Sequence, residues 1–324
     1  MIRYLLISLF LLLYLGCHTK KSVSGNTDGG DTLTYYATVE LPVKARLGEG
    51  SIWNWKTSRL WWIDIESKQL NIYDPETGKN ETINVGQWIG TAVPAQNGDA
   101  ILALQDGIYR MDLATHRQTL ICNPESGLDN MRFNDGKCDP AGRLWVGSMS
   151  LKYIKGAASL YRISMDGSYK KMIDSVTVSN GIVWTSDHKT MYYTDTPTRC
   201  IRAYDYNEAT GKISNARIAV TIPSGLGAPD GMTIDAENKL WVAHWGGHMV
   251  GRWDPLTGRL MARVEVPALN VTSCAFGGPN LGILYITSSG QGMKKELAQR
   301  YPEAGDLFKV NPGVHGVKAD FWGN

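Results

Sequence analysis

Leu60-Trp61-Trp62-Ile63-Asp64, followed past a polar turn by Leu70-Asn71-Ile72-Tyr73-Asp74, reads as two short antiparallel strands. The same pair recurs down the chain. Leu144-Trp145-Val146-Gly147 precedes Leu160-Tyr161-Arg162-Ile163, and Met191-Tyr192-Tyr193-Thr194-Asp195 precedes Ile201-Arg202-Ala203-Tyr204-Asp205. Leu240-Trp241-Val242-Ala243 precedes Val250-Gly251-Arg252-Trp253-Asp254, and Leu284-Tyr285-Ile286-Thr287 precedes Leu307-Phe308-Lys309-Val310. A weaker copy is Ile101-Leu102-Ala103-Leu104 with Ile108-Tyr109-Arg110-Met111-Asp112. Successive copies are 41 to 49 residues apart. Short strands repeating at this period predict an all-β fold, a β-propeller with one four-stranded blade per repeat. Six copies predict six blades. Asp74-Pro75-Glu76-Thr77-Gly78 and Asp254-Pro255-Leu256-Thr257-Gly258 supply tight turns between outer strands. The strand-like segment Leu33 to Leu41 is expected to join the last blade and close the ring, and Lys294 to Arg300 to form one short helix in a loop.

Composition agrees. The 324 residues carry 33 Lys+Arg against 31 Asp+Glu, a net charge of +2, so no basic field points to nucleic acid. The chain is 43% hydrophobic and 20% charged, which excludes a disordered chain. Its 35 Gly, 11 Trp and 15 Tyr suit many short strands joined by tight turns.

The start of the chain reads as a targeting segment. After Arg3, the apolar run Tyr4 to Gly16 is too short to span a bilayer, which takes about 20 residues, and suits a signal-peptide core. Leu15-Gly16-Cys17 resembles a bacterial lipobox, with Tyr14 where leucine is usual. Residues 1–16 are therefore expected to be a lipoprotein-type signal peptide, residues 17–34 a polar tether, and residues 35–324 the propeller. Export follows, to the periplasm or as a membrane-anchored lipoprotein, with membrane contact only through a lipid on Cys17. A monomer is expected. The other cysteines, Cys122, Cys138, Cys200 and Cys274, form no CxxC pair, which argues against a zinc site built on them. Cys138 and Cys274 read as buried thiols in strands.

A second element precedes each strong repeat: a polar residue, a glycine, then an apolar strand. The copies are Glu49-Gly50-Ser51-Ile52-Trp53, Asn134-Asp135-Gly136-Lys137-Cys138, Asn180-Gly181-Ile182-Val183-Trp184 and Pro229-Asp230-Gly231-Met232-Thr233. In a propeller the first strand of each blade lines the central channel. Glu49, Asn180 and Asp230 are thus expected to converge at one mouth, with Asn134 or Asp135 beside them. Three oxygen donors suit one hard divalent cation and leave positions open for water and substrate. His244 and His248 flank a Gly-Gly turn between strands, which does not suit the helical i, i+4 metal pair.

Leu47-Gly48-Glu49-Gly50, Arg132-Phe133-Asn134-Asp135-Gly136-Lys137 with Asp139-Pro140-Ala141-Gly142-Arg143, Ser179-Asn180-Gly181 and Pro229-Asp230-Gly231 resemble the regucalcin, gluconolactonase and luciferin-regenerating enzyme family. The resemblance runs from about Leu41 to Phe321. It implies a six-bladed propeller with a central-channel metal site, and a lactonase that opens a sugar lactone to its aldonic acid. It implies Glu49, Asn180 and Asp230 as ligands of one divalent cation, Ca²⁺ foremost, with Zn²⁺, Mn²⁺ or Mg²⁺ as alternatives. Asp230 also matches the acid/base, and Arg132 and Asn134 match substrate contacts. Lys152 stands near where relatives place an acidic substrate contact, so it is expected either at the substrate, where a cation favours anionic lactones, or turned away as a solvated loop residue. The small-molecule lactone is the expected partner. Two other classes stay open: a related esterase or phosphotriesterase, and an exported non-catalytic metal-binding propeller.

Overall fold

The computed structural model describes residues 32–323. The expected signal peptide, the Cys17 anchor and nearly all of the tether lie outside the described residues.

Six sheets follow one another along the chain. Strands β1 (Leu33–Tyr36) and β2 (Thr38–Leu41) come first. Blade one is β3 (Gly48–Asn54), β4 (Arg59–Asp64), β5 (Gln69–Asp74) and β6 (Lys79–Asn84). Blade two is β7 (Ile89–Pro94), β8 (Ala100–Leu104), β9 (Gly107–Met111) and β10 (Gln118–Cys122). Blade three is β11 (Met131–Cys138), β12 (Leu144–Ser150), β13 (Ala158–Ile163) and β14 (Tyr169–Val176). Blade four is β15 (Ser179–Trp184), β16 (Thr190–Asp195), β17 (Cys200–Asn207) and β18 (Lys212–Thr221). Blade five is β19 (Ala228–Ile234), β20 (Leu240–Trp245), β21 (Met249–Trp253) and β22 (Leu260–Glu265). Blade six is β23 (Asn270–Gly277), β24 (Ile283–Ser289) and β25 (Leu307–Val310). This is the expected six-bladed propeller, and each repeat anchor lies in the second strand of its blade. The single α-helix among the described residues, α1 (Lys295–Arg300), falls where a short helix was expected.

The runs are apolar on both faces because each blade packs between two others. In β4 every residue from Leu60 to Asp64 is buried, and Trp145 and Trp241 are completely so. The outermost strands are different. In β6 and β18 most residues are exposed, since one edge and one face meet water.

Ring closure is divided between two strands. Thr38–Leu41 pairs antiparallel with β25 as the outer strand of blade six. Leu33–Tyr36 instead runs parallel to β22 on the edge of blade five. Pairing therefore begins at Leu33, two residues inside the expected tether, and only the second half of the segment joins the last blade.

A strap at the C-terminus crosses the face where the inner strands end. Gly316 bridges to Asp235 in blade five, Trp55 Nε1 donates to the Ala319 carbonyl at 3.0 Å, and Trp322 bridges to Ala95 in blade two. Gly323 N–H reaches the Gly142 carbonyl at 3.1 Å in blade three. The strap's own Phe321 and Trp322 side chains are buried. The four cysteines among the described residues are free thiols, with Cys138 and Cys274 buried as expected.

Candidate active site

Every innermost strand is bulged at the same level. Register shifts fall at Glu49/Ile52 in β3, Ile89/Thr91 in β7, Phe133/Gly136 in β11, Asn180/Ile182 in β15, Pro229/Met232 in β19 and Val271/Ser273 in β23. A bulge re-aims the side chains at its break. Here the residues at or inside the breaks are Glu49, Asn134, Asp135, Asn180 and Asp230. The glycines beside them let neighbouring inner strands close in. A Cβ on Gly181 would stand 2.7 Å from the Asp230 carbonyl oxygen, and one on Gly231 would stand 2.9 Å from Ser273.

The structure brings five of the six expected site residues together. Glu49, Arg132, Asn134, Asn180 and Asp230 are all buried. The Glu49 and Asp230 carboxyl groups lie within hydrogen-bonding reach of each other. Each also accepts a hydrogen bond from the backbone N–H of the glycine that follows it, Gly50 at 3.0 Å for Glu49 and Gly231 for Asp230. Arg132 Nη1 donates to Asn134 Oδ1 at 2.6 Å and to its neighbour's carbonyl, Phe133 O, at 2.9 Å. Asn134 Nδ2 donates to Ser179 O at 2.7 Å and, at 3.3 Å, to Asn180 Oδ1. Asn180 Nδ2 donates to Thr196 Oγ1 at 2.9 Å, and that hydroxyl donates to the Pro229 carbonyl at 2.9 Å. Thr196 thereby fixes the Asn180 amide with its oxygen turned toward Asn134.

The charges are unbalanced. Burial, then the Asp230 charge, then that of Asp135, push the Glu49 carboxyl well above the usual carboxylate range. Burial and Asp135 do the same to Asp230. Arg132 is the nearby cation that opposes both shifts. Asp135, one residue past Asn134, is a third buried carboxylate. Its Oδ1 accepts from Gly136 N–H at 2.8 Å, and its buried Oδ2 has no partner. The sequence placed Asp135 only as an alternative to Asn134, because nothing in the spacing shows that a bulge sends both toward the channel.

Among the described residues, no group of three or more His, Cys, Asp and Glu side chains is placed to hold a metal. A cation here therefore depends on amide oxygen as well as carboxylate. The donor chemistry fits one: two buried carboxylates under mutual repulsion, joined through the Arg132–Asn134 pair to the Asn180 amide oxygen. All are hard oxygen donors of the kind Ca²⁺ takes.

Lys152 is not part of the site. The turn Ser150–Tyr153 closes with Tyr153 N–H on the Ser150 carbonyl at 2.9 Å, and Lys152 N–H donates to Ser150 Oγ at 3.2 Å. This turn leaves Lys152 exposed. Its neighbours Leu151 and Tyr153 line the cavity next to Arg132 instead. His244 is buried inside blade five, donating from Nδ1 to Leu226 O at 2.6 Å and accepting from Trp253 Nε1 at 3.3 Å. His248 pairs with Glu265.

The Asp139–Arg143 stretch belongs to the scaffold. Asp139 is completely buried and accepts from Arg143 Nε, Trp145 Nε1 and Tyr206 Oη, each at 2.8 Å. Asp235 plays the same part in blade five, accepting from Trp241 Nε1 at 2.9 Å and Arg252 Nε at 2.8 Å.

A family model described as "SMP-30/Gluconolactonase/LRE-like region" matches residues 47–290. A protein of Bacillus subtilis (strain 168) named "Putative sugar lactone lactonase YvrE" is 39% identical over 282 residues, covering 87% of this chain and 97% of that one. Among solved structures, a calcium-binding regucalcin from Agrobacterium tumefaciens superposes with a TM-score of 0.86 at 27% identity, covering 90% of this chain and 98% of that one. A luciferin-regenerating enzyme gives a TM-score of 0.83 at 31% identity, covering 88% and 99%.

Proposed function

Because the chain belongs to the SMP-30/gluconolactonase/LRE-like family, we propose that it is a divalent-cation-dependent hydrolase that opens lactones to hydroxy acids. Sugar lactones are the starting substrate class, since that activity stands in the name of the B. subtilis relative. The observation that supports the reading is the buried Glu49–Asp230 carboxyl pair from blades one and five, with the hydrogen-bonded chain Arg132–Asn134–Asn180 buried next to it.

Glu49, Asn180 and Asp230 are the residues that would hold the cation, Ca²⁺ by preference for all-oxygen donors. When bound it would supply Lewis-acid polarisation of the ester carbonyl. The remaining work falls to side chains. Arg132, fixed by Asn134, offers its other guanidinium N–H groups to the oxyanion that develops on the carbonyl oxygen. Asp230 orients the attacking water and accepts its proton. Water adds to the carbonyl carbon, the ring C–O bond breaks, and the leaving alkoxide takes a proton to become the hydroxyl of the product acid.

The test is turnover of glucono-1,5-lactone followed by proton release, for the wild type and Asp230→Ala. The expected loss in kcat is at least about 100-fold for removal of a proton-accepting group. Full activity in Asp230→Ala would remove that residue from the mechanism.

A further inference from the structure

Outward from Arg132 the channel opens into a cavity of about 190 Å³ whose wall mixes polar and apolar side chains. Arg132 and Tyr153 come from blade three, Trp88 from the entry to blade two, Glu66 from blade one and Gln291 from the turn after β24. Glu66 is the one carboxylate among the described residues of that wall. Three segments hold it in place. Asp64 fixes the turn that carries it, accepting from Leu47 N–H at 3.1 Å, Ser67 N–H at 3.2 Å and the Ser67 hydroxyl at 2.7 Å. Arg46 reaches Glu66 Oε2 through Nε at 3.0 Å and Nη2 at 2.9 Å. The Gln291 amide nitrogen donates to Glu66 Oε1, and Gln291 is anchored in turn by its N–H on Ser289 Oγ at 3.0 Å.

A carboxylate offers about four acceptor positions. Two on Oε2 go to Arg46 and one on Oε1 goes to Gln291, which leaves a position on Oε1 beside the lining amide. The Glu66 charge, like that of Tyr153, acts on the Arg132 guanidinium, so the acid and the cation share one enclosure. A lactone with its ester oxygen at Arg132 projects its ring substituents into that enclosure. A hydroxyl there can donate to Glu66 in a charge-assisted hydrogen bond, whereas an anionic substituent is repelled. We infer that Glu66 is a specificity residue that accepts a hydrogen bond from a ring hydroxyl and selects neutral, polyhydroxylated lactones. The acidic contact absent at Lys152 is then supplied from blade one. This rests on the lactone-hydrolase reading and names the residue behind its substrate class.

The experiment measures kcat/KM for glucono-1,5-lactone and for δ-valerolactone, the same ring without hydroxyls, in the wild type and Glu66→Gln with Ca²⁺ present. The amide keeps the shape of the side chain and removes its charge. The wild type should prefer the sugar lactone. In Glu66→Gln that preference should fall about 10-fold, carried by KM, the scale expected for a hydrogen bond to a charged group. Both substrates use Arg132 and Asp230, so a general disturbance of the site moves both alike and leaves the ratio where it was. An unchanged ratio, or a wild type that prefers δ-valerolactone, overturns the inference while leaving lactone hydrolysis intact. If the wild type turns over neither lactone, the hydrolase reading fails, and calorimetric titration of glucono-1,5-lactam into both proteins decides the inference. Binding about 10-fold weaker in Glu66→Gln supports it. Equal binding, or no binding to the wild type, overturns it.

Discussion

Gly181 shows how much of the site rests on what is missing from a side chain. A Cβ there would meet the Asp230 carbonyl at 2.7 Å and the Met232 side chain at 2.8 Å. Backbone cannot yield as a flexible chain end does, so Gly181→Ala must push β15 and β19 apart at the level of Asn180 and Asp230. The expected cost is about 1–3 kcal/mol of stability for overpacking, with a fall of about 100-fold in kcat/KM from misplacing the pair. Thermal unfolding and steady-state kinetics on one preparation check both, and an unchanged kcat/KM would show that blade spacing does not position the site. In the sequence, Asn-Gly and Asp-Gly read equally well as turn dipeptides. Only their common register before apolar strands marked them as channel residues, and the steric reason for glycine lay in the neighbouring blade. Lys152 is the opposite case, where the solvated-loop reading holds and the substrate-contact reading does not. Its place in the chain was right for a substrate contact, but a turn closed on Ser150 points it to solvent, and spacing carries no information about that rotation.

At the scale of the element, the bulged inner strands separate chemistry from scaffold. Arg132 to Lys137 and Asp139 to Arg143 are nearly contiguous and equally distinctive in sequence. The first lines the channel, whereas the second folds a buried turn past the other end of β11. Asp139 gathers Arg143, Trp145 and Tyr206 around a carboxylate with no exposure to water. Asp139→Asn leaves the Arg143 charge buried without its partner. The expected loss is about 3–5 kcal/mol, read as a lower denaturant midpoint, with kcat unchanged per folded molecule. A loss of kcat without a loss of stability would move this turn into the active site. The strand pairs were legible because blades bury both faces and so spell continuous apolar runs with aromatic ends. The division of Leu33–Leu41 between two blades was not. Both halves alternate alike, and the break at Ala37 that parts them is set by the partners Glu265 and Lys309. The C-terminal strap was missed for a related reason: it is irregular backbone outside the repeat, held by scattered hydrogen bonds to blades one, two, three, five and six.

The whole molecule responds to acid through a histidine buried in blade five. His244 lies in blade five with both ring nitrogens satisfied in the neutral form, and burial pulls its pKa down to about 4. Protonation would set a second N–H against that of Trp253. The folded value lies below the unfolded one of about 6.5, so this contribution is complete above pH 6.5 and is lost as pH falls toward 4. The difference amounts to about 3 kcal/mol. Denaturant midpoints at pH 7 and pH 4.5 should fall further for the wild type than for His244→Gln, and identical falls would show that His244 is not the group responsible.

The ring exists, on this account, to bring Glu49, Asn180 and Asp230 from blades one, four and five around one divalent cation. The most direct measurement is a calorimetric titration of Ca²⁺ into chelator-stripped wild type and into Glu49→Gln, Asn180→Ala and Asp230→Ala. A single site in the wild type is predicted, weakened about 100-fold or more in each variant whose folding is intact, since replacing even an outer partner of a metal site typically costs 10–100-fold. Wild type that takes up no Ca²⁺, Mg²⁺, Mn²⁺ or Zn²⁺, or three variants that bind as the wild type does, would contradict it.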